Sequence, residues 1–293
     1  MFDRLSVLCF AGTYALALAV DLARFAVRGA VRWWVTLVLI GLAWLVQTAY
    51  LVNLAWRGGA LPLTTPFESL LVLSWLLAAI GLYLIARAPQ GAAVGLFVLP
   101  VVIGLLVAAA FWSSRAAWLD RAGIAAFWGT VHGLLLLAGA VCSCVAFVSG
   151  LMYLAQSRRL KHKRLAVIGF VLPSLEQSER LNRLSITLAF PLLTAGLLTG
   201  IALVVALRGG SGVQIGWGDP KVVSTSAAWF VSGLLLHARF RPEMRGRRVM
   251  LLTVLSFLFM AFTLVGVDLF RIPTAHGKAA GVRAGSAGLG RSA

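Results

Sequence analysis

Three histidines and one short loop carry the chemistry in an otherwise greasy chain: His132, His237, His276, and Gly216-Trp217-Gly218-Asp219-Pro220-Lys221. A neutral imidazole ligates iron, and two imidazoles at comparable depth can hold one iron from opposite faces. Trp217 offers a flat apolar ring, and the glycines beside it permit close backbone approach. Asp219 is placed to cap a helix that begins near Pro220. Trp217, Asp219, His132 and His276 together would suit a flat, apolar, iron-bearing cofactor, which points to haem. Taken alone, His132 or His276 can equally be an interfacial imidazole bonded to a loop. His237 can be a packed or lipid-contacting residue, with Arg239 and Arg241 nearby to meet a carboxylate or an anionic lipid. His162, inside Lys161-His162-Lys163-Arg164, reads as part of a solvated face.

The elements that must position these groups are membrane helices. Hydrophobic residues make up 60% of the 293 positions and charged residues 12%, with a mean hydropathy of +0.93. A spanning helix needs about 20 apolar residues. Eight such stretches are expected, near 5–27, 32–54, 67–87, 91–112, 127–156, 184–207, 222–239 and 249–270. They are too long and too rich in Leu, Ala and Val for barrel strands, and helices satisfy their own backbone in lipid. The expectation is an all-α, polytopic membrane bundle of about eight helices, forming one domain over residues 1–276. A Gly/Ala/Ser-rich tail over 277–293 is expected to be disordered.

A net charge of +17 raises the question of nucleic acid, which the distribution of bases answers. Alternate loops divide the 26 Lys and Arg residues into 16 on one side and 10 on the other, with clusters at Ser157–Arg164 and Arg239–Arg248. The rich side should face the cytoplasm. Topology in the bilayer, rather than nucleic-acid binding, accounts for the charge. Both termini then lie outside, with the loops near 56–66, 113–126 and 208–221, and His132 and His276 share that outer side. His237 falls near the inner end of the seventh span. Met1–Arg4 and the following apolar run show no cleavage signal, so the first span is expected to be retained.

Other chemistries find little support. No acid pair is spaced for proton transfer, and no phosphate loop, nucleophile elbow or HExxH motif occurs. Cys9, Cys142 and Cys144 lie within spans, the last two about 200° apart around a helix, and read as small packing residues. The long inner connection from Ser157 to Arg183 reads as a basic cluster, an interfacial segment and a helix start at Ser174. Trp112, Trp118, Trp128 and Trp229 fit an interfacial aromatic belt or the surroundings of the cofactor.

An ordered set of motifs runs through most of the chain: Pro66-Phe67-Glu68-Ser69, Val98-Leu99-Pro100, Val131-His132-Gly133, Gly150-Leu151-Met152-Tyr153-Leu154, Leu181-Asn182-Arg183-Leu184, Phe190 to Gly196, Trp217 to Lys221, Leu235-Leu236-His237-Ala238-Arg239 and Arg245-Gly246-Arg247-Arg248. With these the sequence resembles the CcsA/ResC/HemX group of haem-handling membrane proteins, related to the CcmC and CcmF cytochrome c assembly proteins.

The resemblance implies a component of the cell (inner) membrane that carries haem b transiently and presents it outside for covalent attachment to apocytochrome c. A ResB-like membrane partner would assist. It further implies that His132 and His276 are axial ligands, that Trp217 and Asp219 belong to the tryptophan-rich "WWD" segment, and that His237 is the membrane histidine of the haem pathway. The family's segment is richer than this one. Here Gln214-Ile215-Gly216 supplies no preceding tryptophan, Gly218 precedes the aspartate and Val222 replaces a glutamate, which bears on any haem lyase step more than on haem contact. Two other readings stay open: a HemX-like regulator or scaffold of tetrapyrrole metabolism without lyase activity, and a small-molecule transporter.

Overall fold

A computed structural model describes residues 2–25, 30–59, 61–63, 65–88, 92–111, 124–161, 172–207, 220–241 and 246–266. Among these, regular structure consists of helices: α1 (Phe2–Leu22), α2 (Ala30–Gly58), α3 (Pro66–Arg87), α4 (Gly95–Phe111), α5 (Ile124–Lys161), α6 (Leu175–Leu207), α7 (Pro220–Phe240) and α8 (Arg247–Ala261). A 3-10 turn, Ala23–Phe25, follows α1, and a π turn, Phe262–Gly266, follows α8. The chain is an all-α, polytopic membrane protein, and each expected span has its helix.

Five of the helices are long and apolar enough to cross a bilayer: those over Val31–Gly58, Pro66–Arg87, Phe127–Lys161, Leu175–Val205 and Arg247–Val265. The apolar parts of α1 (Val7–Leu22) and α4 (Gly95–Phe111) are shorter. Helix α7 is long but more polar, because Ser224, Thr225, Ser226, Ser232, His237 and Arg239 interrupt its apolar residues. Helix α6 begins nine residues before the sixth expected span, so its first turns carry the polar sequence Glu176 to Arg183.

Two helix starts are written in the sequence. Thr65 Oγ1 accepts from the Glu68 amide at 3.1 Å while Glu68 Oε2 accepts from the Thr65 amide, a reciprocal cap with Pro66 in the first helical position. Ser174 does the same with Gln177, its hydroxyl 3.1 Å from the Gln177 amide, as the sequence implied.

Helix α1 packs on α2 and α4, α3 packs on α4, and α5 packs most extensively on α6; α8 then joins α5 to α7. Lipid tails give no hydrophobic drive between helices, so small residues and buried polar bonds must hold them. In the first half, Gln47 of α2 accepts from the Tyr14 hydroxyl at 3.0 Å and donates to Ser74 Oγ at 2.9 Å and the Leu71 carbonyl at 3.1 Å. Large apolar side chains such as Val38, Leu42 and Leu45 point outward, as a lipid-facing surface requires.

Basic residues at helix ends are tied to acids in each half of the bundle. Asp21 accepts from Arg24 and, at 2.9 Å, from Arg32, and all three are buried. Arg24 also reaches the Ala92 carbonyl just before α4. In the second half Arg239 reaches Glu179, at 3.0 Å to its carbonyl.

Candidate functional site

The site begins with two glycines one turn apart on α6. Gly196 and Gly200 form a Gly-Leu-Leu-Thr-Gly motif, the spacing that lets membrane helices approach closely. A Cβ on Gly196 would stand 2.6 Å from Leu136 Cδ2, and one on Gly200 would stand 2.7 Å from His132 Cε1. Leu136 and His132 are themselves one turn apart on α5, so each seats over a glycine. Reciprocally, Leu193 of α6 sits over Gly139 of α5, where a Cβ would meet its Cδ2 at 2.7 Å.

This close approach gives His132 a backbone partner. Its Nδ1 lies 2.7 Å from the Gly196 carbonyl oxygen, and Thr199 Oγ1 lies 2.9 Å from that same oxygen and 3.5 Å from Nδ1. A carbonyl can only accept, so Nδ1 carries a proton, and in the neutral ring the lone pair is on Nε2. That tautomer is the one that binds metal through Nε2.

Phe127 and Trp128 stand one turn before His132 on α5, both exposed, with ring centroids 5.7 Å apart in an edge-to-face pair. An iron-ligating tautomer beside exposed aromatic rings fits a haem. Among the described residues no three His, Cys, Asp or Glu side chains gather as a metal cage. What α5 offers is a single imidazole.

Trp229 has a different place. Its Nε1 donates to Thr194 Oγ1 at 2.8 Å, and its ring stacks on Phe190 with centroids 5.8 Å apart. It binds α7 to α6. The thiols of Cys142 and Cys144 also serve packing, with Cys144 fully inside the bundle and Cys142 half-buried.

At the basic end of α7 two neighbours point in opposite directions. Arg239 turns inward to Glu179, meeting a carboxylate as its sequence position allowed. His237 is exposed on the face that also carries Phe230 and Leu234, and its Nε2 accepts from Arg241 Nε at 3.1 Å. His132 and His237 therefore belong to separate ends of the bundle and do not share a site. His276, Trp217 and Asp219 lie outside the described residues, as does the C-terminal tail; α7 does begin at Pro220, immediately after Asp219.

Sequence reasoning missed the glycine seats, although Gly196 closed a quoted motif. The signal that would have found them is the four-residue spacing of Gly196 and Gly200 in an apolar helix.

Between α5, α6, α7 and α8 lies a small cavity of about 20 Å³ whose lining includes Ser143, Ser232, Thr253 and Ser256 beside apolar residues. Ser232 and Ser256 bond across it at 3.1 Å. It has room for about one water and none for a cofactor.

The chain is 28% identical over 296 residues to the cytochrome c biogenesis protein CcsA of Synechococcus sp. (strain CC9605), covering 92% of this chain and 95% of that protein. It is 27% identical over 300 residues to the CcsA protein of Prochlorococcus marinus (strain MIT 9313), covering 92% of each. Protein HemX of Brevibacillus brevis is 27% identical over 241 residues, 78% of this chain and 82% of that protein. The cytochrome C assembly protein family matches residues 63–273, from just before α3 to beyond α8. Since that match takes in most of the chain, including the His132 seat, the protein belongs to the cytochrome C assembly protein family.

Proposed function

We propose that this protein acts in cytochrome c biogenesis by holding haem b transiently at the outer face of the cell membrane, for covalent attachment to apocytochrome c. The observation that carries the reading is the seat of His132: an imidazole fixed in its Nε2-ligating form beside Phe127 and Trp128, at the end of the bundle opposite the basic cluster. Family membership and the CcsA relatives support it.

When bound, haem supplies the iron that an imidazole ligates and the vinyl groups to which apocytochrome thiols add. The protein's own residues hold and orient. His132 would hold the iron through an imidazole nitrogen, and the family resemblance would assign a second such nitrogen to His276 and the ring platform to Trp217 with Asp219. Holding the reacting groups at fixed distance is a large part of what such a site contributes. His237, at the opposite end, is assigned by the family resemblance to the passage of haem, with a ResB-like membrane partner assisting.

The test is the haem Soret spectrum of the purified protein and of its His132→Ala and His276→Ala variants, after expression in haem-replete cells. Haem in the wild type and loss in both variants is the expected result; a wild type without haem overturns the reading. A second reading is favoured by the HemX match over 78% of the chain: a membrane regulator or scaffold of tetrapyrrole metabolism. Co-expression with a ResB-like protein and an apocytochrome c separates the two, since only the first yields covalent cytochrome.

A further inference from the structure

We propose that Gly196 and Gly200 are positioning residues for His132: the Gly196 carbonyl holds the Nδ1 proton, and the absent side chain at Gly200 leaves the ring the space to reach it. The inference rests on the haem reading above. Two independent geometric facts converge on it.

The first is the bond itself. At 2.7 Å, Nδ1 to the Gly196 oxygen is a short contact for a nitrogen donor. Its acceptor belongs to the helix backbone, so its direction is set by α6 and not by a rotatable side chain. A backbone or carboxylate acceptor on the far nitrogen of a ligating histidine fixes the ring's orientation and raises its basicity.

The second is the fit of the ring. A Cβ at Gly200 would lie 2.7 Å from Cε1, 3.1 Å from Nδ1 and 3.5 Å from Nε2, so any side chain there displaces the imidazole as a whole. The Leu136 seat over Gly196, one turn away, keeps α5 in register on α6. Loss of the Gly200 notch would therefore move the ring while the neighbouring seat still holds the helices together. Gly139 offers a matched control, because a Cβ there crowds Leu193 across the same helix pair without touching His132.

The experiment uses the full-length protein in lipid nanodiscs, with ¹⁵N-labelled histidine, first without haem. The His132 signal is assigned by its loss in His132→Ala. The wild type is expected to show Nδ1 protonated and Nε2 unprotonated. Gly200→Ala is expected to lose that signature and, on addition of haem, to retain it about tenfold or more weakly. Gly139→Ala is expected to keep both the tautomer and the haem spectrum. An Nε2–H tautomer in the wild type overturns the proposal, and this holds even if Gly200→Ala fails to fold. Equal loss of tautomer and haem in both glycine variants overturns it too, reducing the notch to helix packing. If the tautomer is as expected but His132→Ala leaves bound haem unchanged, the ligand reading of His132 fails with the hydrogen bond intact, and the positioning role falls with it.

Discussion

Arg239 of α7 places its Nη2 3.2 Å from the Glu179 carboxylate and 3.0 Å from the Glu179 carbonyl of α6, with its side chain 4% exposed. One guanidinium thus closes the basic end of α6 against α7. Glu179 remains 31% exposed and also faces the exposed Arg183 at 3.5 Å, so the pair is worth less than a fully buried one. Arg239→Ala should lower stability by about 1.5–3 kcal/mol, the range for hydrogen bonds to charged groups. Glu179→Gln should cost less, since its carbonyl still accepts. Thermal unfolding of the purified variants in one detergent reads both; equal melting for Arg239→Ala and wild type would remove the clamp.

Asp21 carries more. It faces Arg24 and Arg32 with side-chain exposures of 6%, 1% and 8%, so its loss leaves two buried cations without their carboxylate. Breaking such a group costs about 3–5 kcal/mol, and Asp21→Ala should reduce both the yield of membrane-inserted protein and its melting temperature. Gly95→Ala should weaken the same cluster, because a Cβ there would stand 2.6 Å from Asp21 Oδ2. Wild-type yield and melting in both variants would show the cluster to be dispensable.

The glycines divide by what a methyl group would meet. Gly139→Ala drives a Cβ against Leu193 within the α5–α6 seam and should cost about 1–3 kcal/mol through overpacking. Gly12→Ala, with no atom within 4 Å of the new carbon, should be neutral. Melting in the same detergent compares them, and a neutral Gly139→Ala would show that α5 and α6 are not held at the distance observed.

The number and order of helices were legible from apolar runs, because a chain in lipid must satisfy its backbone within each helix. The cap at Ser174 was equally legible, and Thr65 was open to the same reading though it was not drawn, since both partners of each cap lie within four residues. Inward faces were not. A membrane helix is apolar all round, so periodicity no longer marks the core. The first expected span, near 5–27, took in Asp21 and Arg24 without saying where they point, yet Arg24 is among the most buried large side chains. His237 and Arg239 sit two positions apart, about 200° around a helix. One must face away when the other faces in, but the spacing does not say which; Glu179 on α6 decides it, and that contact spans 60 residues. His132 was found by type and depth, whereas its partner on α6 needed the packing of two helices.

The outward position of His237 makes its role separable from stability. Its imidazole shares a face with exposed Phe230 and Leu234, and its hydrogen bond runs to Arg241 on the same helix, so among the described residues it ties no other helix to α7. His237→Ala should therefore melt within about 0.5 kcal/mol of wild type, as exposed substitutions do. An ionisable group on an apolar membrane face is costly enough to suggest use. If that use is ligation during haem passage, His237→Ala should lose covalent cytochrome c yield in co-expression, and imidazole in the medium should restore part of it. Arg241→Ala should keep the yield, since removing the Nε donor leaves the imidazole lone pair in place. Unchanged yield in His237→Ala would confine haem handling to the opposite end of the bundle. A yield loss without imidazole rescue would point to a contact made by the ring rather than to a ligand nitrogen.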